Sequence, residues 1–296
     1  MDKTLMTLFL FIFLVIFISF SAPGYAQWQK VESGIFPPLS FRAKIEKGQP
    51  YFYCRDKYKN FGIISKNEGC QLIYGSMLAK HDYEILVDPD QNLGWKWIKN
   101  GPIPLGAFDA GHAPLLGKKY LCLKPIRGKP YQGLVIGNQC HYRLKDQIHQ
   151  TQTYQVLVQY WVKTKKIPPE VPASGRDESG DLYICRVQHH GIYYPGTTGV
   201  GVRSCKFIDE YGYEMVSKHY EVQLHLPHKW VKGHPERGLE NMVNTGYQSK
   251  YYVCRAKFLR NVYIGKIQRG EPFCNVAIGG GQLNLKNYQL QIRTKQ

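Results

Sequence analysis

Cysteine is the residue with the most chemistry to offer in this chain. Eight cysteines fall into four spaced couples: Cys54 and Cys70, Cys122 and Cys140, Cys185 and Cys205, Cys254 and Cys274. In a secreted protein an even cysteine count reads as a disulfide framework, and closing each couple on itself is the simplest pairing. Eight cysteines allow many other connectivities, and eight buried free thiols are the alternative reading. Other reactive patterns are thin. His189 and His190 have no third ligand at metal-site spacing, and no Cys-x-x-Cys occurs, so no metal is expected. The stretch VDPDQN at 87–92 alternates acids but lacks the glycine and closing glutamate of a calcium loop. IGGGQ at 278–282 opens no helix after a strand, so it is not a phosphate loop. No Gly-x-Ser-x-Gly, Cys–His nucleophile, paired acid or nucleotide-binding βαβ unit stands out, so the chain reads as a non-enzyme without a cofactor.

What positions the cysteines is a recurring strand. LYICRV at 182–187 has close copies in YFYCRD, KYLCLK and YYVCRA, which hold Cys54, Cys122 and Cys254. A tryptophan precedes each first cysteine: Trp28, Trp97, Trp161 and Trp230. Each unit closes on a tyrosine strand that begins at Tyr83, Tyr154, Tyr220 or Tyr288. Landmarks that keep order and spacing four times mark internal repeats. The expected fold is all-β, antiparallel sheets built from four tandem repeats of about 65 residues. One such unit has little core of its own, so the repeats are expected to pack as two pairs. The boundaries are 27–94 and 95–158 for the first pair (27–158), then 159–227 and 228–296 for the second (159–296). In LYICRV, alternation puts Tyr183, Cys185 and Val187 on one face and Leu182, Ile184 and Arg186 on the other. Both faces are largely apolar, so Arg186 needs a partner or a route to water.

The N-terminus reads as a targeting segment. Lys3 precedes an apolar run from Leu5 to Phe20, and Gly24 and Ala26 suit cleavage after residue 26. Residues 1–26 are therefore taken as a signal peptide and the protein as secreted and extracellular; an uncleaved anchor is the alternative. No later segment is apolar enough to span a bilayer, so no integral membrane protein is expected. A net charge of +17 favours acidic partners such as glycosaminoglycans, anionic lipid or bacterial polyanions.

The assembled unit resembles the DM-nine repeat family, which includes natterin-like proteins. The resemblance rests on GAFDAG at 106–111, LYICRV, HHGIYYPG at 189–196 and HYEVQ at 219–223, in that family's order, and it covers nearly all of the chain after residue 26. It implies tandem repeats that pack two by two into β-rich units. It also implies a secreted lectin of mannose-binding type, with microbial or cell-surface glycans as partners and a role in innate immune pattern recognition. No specific nucleic acid is expected.

In the mannose-binding members an aspartate and a lysine from two turns hold the sugar. A carboxylate accepts from vicinal hydroxyls and an ammonium donates to another oxygen. Eight residues before the first cysteine stand Glu46, Pro114, Asp177 and Gly246; twelve after it stand Lys66, Leu134, Thr197 and Lys266. The resemblance thus points to Glu46 with Lys66, and to Asp177 and Lys266 if paired repeats share a pocket. Tyr193, Tyr194, Tyr211, Tyr213 and Tyr247 lie on or near turns, where an exposed ring could stack on a sugar; core packing is the plainer role for any one of them. The second reading is a basic polyanion-binding or adhesion protein, or a venom-type secretory protein, without a sugar site.

Overall fold

The structure, a computed structural model, describes residues 26–31, 35–46, 48–65, 69–73, 78–79, 82–113, 117–145, 147–224, 226–233, 242–246 and 249–294. The expected signal peptide lies outside the described residues, apart from Ala26. The described chain is all-β and antiparallel, and it contains no helix. No helix among the described residues is long and apolar enough to cross a membrane.

One six-strand order occurs around every first cysteine. In the first sheet Gln27–Lys30 pairs Tyr83–Val87, which pairs the cysteine strand Gln49–Asp56. Phe61–Ser65, Cys70–Leu72 and Leu78–Ala79 follow in order. The second sheet repeats this with Leu93–Lys99, Thr153–Gln159, Gly117–Ile126, Lys129–Ile136, Gln139–Leu144 and Gln147–Thr151. The same order appears around Gly180–His189 and around Tyr251–Phe258. Those two arrays join into one thirteen-stranded sheet, because Gly175–Asp177 pairs both Gly180–His189 and Asn261–Gln268.

The four disulfides close Cys54–Cys70, Cys122–Cys140, Cys185–Cys205 and Cys254–Cys274. Each couple sits on two strands with a third between them, yet their Cα atoms are only 5.9 to 6.0 Å apart. Glycine on the middle strand permits this. Gly62, Gly133, Gly196 and Gly265 pair directly with the four first cysteines. A Cβ at any of them would stand 2.1 to 2.2 Å from a carbonyl oxygen of the strand beyond. The sheet therefore curls over a residue without a side chain, and the disulfide bridges the curl. Each closed loop contributes roughly 3 kcal/mol in the chain-entropy model.

The cysteine strands are buried on both faces. Tyr183, Cys185 and Val187 enter one core cluster while Leu182 and Ile184 enter another, as alternation predicts. One landmark is corrected. Trp28, Trp161 and Trp230 each pair with the residue three beyond the closing tyrosine: Leu86, Gln223 and Gln291. The residue opposite Leu157, at that same place, is Trp95, whereas Trp97 pairs Gln155 and is 49% exposed. Trp95 packs at the core, while Trp97, two residues further along the same face, lies beyond it and is exposed. Two tryptophans of equal parity on one strand look alike to spacing; only the register separates them.

Candidate functional site

The arginine after the cysteine is the first group whose role the sequence left open. Arg55 and Arg186 each donate Nε to a carboxylate on the closing strand: Glu84, and Glu221 at 2.6 Å. Arg255 donates Nε to Gln289 at 2.7 Å. All three guanidinium groups lie over a tryptophan, Trp28 at 4.7 Å, Trp161 at 5.0 Å and Trp230 at 4.3 Å. Each then reaches into the neighbouring array. Arg55 Nη1 donates to Ala110 O at 3.4 Å, Arg186 Nη1 to Thr245 O at 2.5 Å and Arg255 Nη1 to Ser174 O at 3.1 Å. Arg186 and Arg255 do this reciprocally, so the third and fourth arrays are latched from both sides. Arg186 is fully buried and also meets Asp90 Oδ2 at 3.2 Å. The arginines are architectural: each ties its own array to its neighbour.

Register shows where the residues expected for a sugar site stand. Asp177 and Glu46 hold the same hairpin place, opposite Gly180 and Gln49. The Glu46 side chain and Lys66 lie outside the described residues. The Asp177 carboxylate is partly exposed and closes its own turn, accepting from Ser179 N at 2.8 Å and from Ser179 Oγ. Leu134, Thr197 and Lys266 all stand opposite the residue before the cysteine. That place faces inward, so Lys266 is only 4% exposed. Its ammonium lies 4.4 Å from the Tyr251 ring and 5.5 Å from the Tyr194 ring, and it donates to Asp209 O. Burial pushes the Lys266 ammonium down to about 8, against the pull of Glu271 and Asp209. Asp177 and Lys266 thus have separate partners and share no contact.

Lys266 does, however, hold up a turn. Asp209 is buried, and its Oδ1 accepts from Tyr211 N at 2.9 Å and Tyr213 N at 2.8 Å. Gly212 turns the chain at φ 88°. Tyr213 bridges to Gly281 in the glycine-rich turn, and Glu214 accepts from Gly280 N at 3.2 Å. This anchored turn leaves Tyr211 77% and Tyr213 67% exposed. Of the other tyrosines near turns, Tyr193 and Tyr194 are core residues and Tyr247 lies outside the described residues. The exposed pair has the chemistry for stacking on a sugar's C–H face while the phenols hydrogen-bond to hydroxyls.

No protein-family model matches the chain, and no curated protein does. Among solved structures, the chain is similar to the crystal structure of the nematode sperm cell motility protein MFP2B. The identity is 10% and the TM-score 0.33, covering 93% of this chain and 98% of that one.

Proposed function

We propose that this protein is an extracellular carbohydrate-binding protein, with the Asp209–Tyr213 turn as its sugar-docking platform. The observation that carries the reading is the pair of exposed tyrosines on a turn fastened from below by Asp209 and Lys266. Side chains held by such supports lose little freedom on binding, which favours affinity. The scaffold in this reading is four tandem repeats packed as two pairs, of DM-nine type. Four disulfides are consistent with an extracellular protein. Mannose-type glycans of microbial or cell surfaces are the ligands implied by the resemblance, with innate pattern recognition as the setting.

A glycan array probed with the chain after residue 26 tests this. Binding to neutral, mannose-rich glycans is expected, and Tyr211→Ala with Tyr213→Ala should weaken it at least about tenfold, the loss of one stacking contact. Absence of any neutral-glycan binding, or binding indifferent to both substitutions, would refute the proposal.

A further inference from the structure

A second site stands apart from the tyrosine turn and does not depend on it. An open cleft of about 600 Å³ lies where Gly175–Asp177 meets Tyr251–Phe258 and Tyr288–Arg293. Ala173, Ala256 and Val262 give it an apolar lining, and Arg176, Lys232, Arg255 and Lys257 bring four cations to it. Arg176 is engaged by Asp181 at 3.0 Å. Lys232 and Lys257 are exposed and make no ion pair among the described residues. Arg255 spends its donors on two neutral acceptors, Gln289 and Ser174 O.

The first array supplies an internal control. Lys30 and Arg55 both pair with Glu84 in register, just as Lys232 and Arg255 both pair with Gln289. Asp82 precedes Tyr83 as Asn287 precedes Tyr288. In the first array the cations are neutralised in place: Arg55 by Glu84 and Lys30 by Asp82 at 3.9 Å. In the fourth array both carboxylates have become amides. Gln289 keeps the hydrogen bond to arginine while both amides discard the charge, so a concave surface is left positive. Field lines converge in such a cleft and concentrate anions there.

We infer that this cleft binds the sulfate and carboxylate groups of an acidic polysaccharide. The lining favours a saccharide over single-stranded nucleic acid. Base recognition needs an open aromatic face, and the cleft's one ring, Tyr288, is buried.

The test uses a heparin hexasaccharide as probe and dextran as neutral control, at 0.15 M salt. The wild-type chain should bind heparin, more weakly as salt rises, and should not bind dextran through this cleft. Asn287→Asp with Gln289→Glu restores the first array's carboxylates and should lower heparin affinity at least about tenfold by neutralising the cations that would otherwise donate to the ligand. The same variant should melt no lower than wild type, because it adds counter-ions without removing a contact. Lys232→Ala with Lys257→Ala, both exposed, should weaken heparin in the same direction, whereas Tyr211→Ala with Tyr213→Ala should leave it unchanged. Heparin affinity unmoved in the Asp/Glu variant overturns the site. A single-stranded oligonucleotide that binds as tightly and is lost in the same variant overturns the saccharide assignment.

Discussion

Lys266 shows how a residue can occupy the expected position and do something else. Counting from the cysteine placed it correctly in register, but a strand position also has a face, and this one shares its face with buried Val253. The ammonium is therefore spent on Asp209 O and two tyrosine rings rather than offered to solvent. Its depressed proton affinity has a signed consequence. The unfolded chain holds that proton up to about 10.5, while the folded chain releases it near 8. Between those values the unfolded state binds more protons, so the stability contribution of this residue rises with pH and is lost as pH falls through about 8. Denaturant unfolding at pH 7.5 and pH 10 should show wild type gaining relative to Lys266→Met, which lacks the titration. With every described cysteine in a disulfide, thiol exchange does not confuse the alkaline measurement. An unchanged difference between the two proteins would remove the burial argument.

At the level of strands, much was legible because the period of a strand is fixed. The two-faced burial of LYICRV and the closing tyrosine strands follow from spacing and alternation, and the four disulfides take the simplest of the pairings that the spacing left open. The arginine latch was not legible. Its partners Thr245, Ser174 and Ala110 lie far along the chain, and a backbone carbonyl leaves no mark in a sequence. The Trp95 and Trp97 ambiguity has the same origin, since only pairing to Leu157 separates them. The latch also differs in strength between strands. Arg186 is buried with Glu221 and Asp90, so removing one carboxylate leaves a charge in a dry site. Glu221→Ala should therefore cost about 3–5 kcal/mol in denaturant unfolding. Gln289→Ala, beside a partly exposed Arg255, should cost about 1 kcal/mol. Equal costs at the two positions would mean that burial does not govern the latch.

Over the whole molecule the two halves are fastened differently. Leu86 and Leu157 occupy corresponding closing-strand positions and share one apolar cluster, whereas Gln223 and Gln291 at the same positions exchange side-chain hydrogen bonds of 3.1 and 2.6 Å. The second array has Leu123 where the others have arginine, so among the described residues the arginine latch between the first two arrays comes from Arg55 and has no reciprocal partner. Between the halves, the Asn92 carboxamide acts as a short stretch of strand, accepting from Trp161 N at 2.7 Å and donating to Trp161 O at 3.2 Å. The stretch VDPDQN thus joins the halves, with Asp88 holding the turn through Asn92 N and Leu93 N. One-sided fastening makes the first half the place where opening starts. Amide hydrogen exchange should be faster at Leu86 and Leu157 than at Gln223 and Gln291, by about tenfold for each 1.4 kcal/mol of missing latch. Slower exchange in the first half would show that the leucine contact outweighs the lost arginine.

The four curled, disulfide-closed arrays also set a limit on how far this chain can be stretched. A tether that holds a cell to a surface is pulled at its ends, and a loop shut by a covalent bond cannot be drawn out. The two 20-residue loops would each withhold about 70 Å of contour from the extending chain. Under load each such loop stays shut, so the chain lengthens only through the residues outside the disulfides.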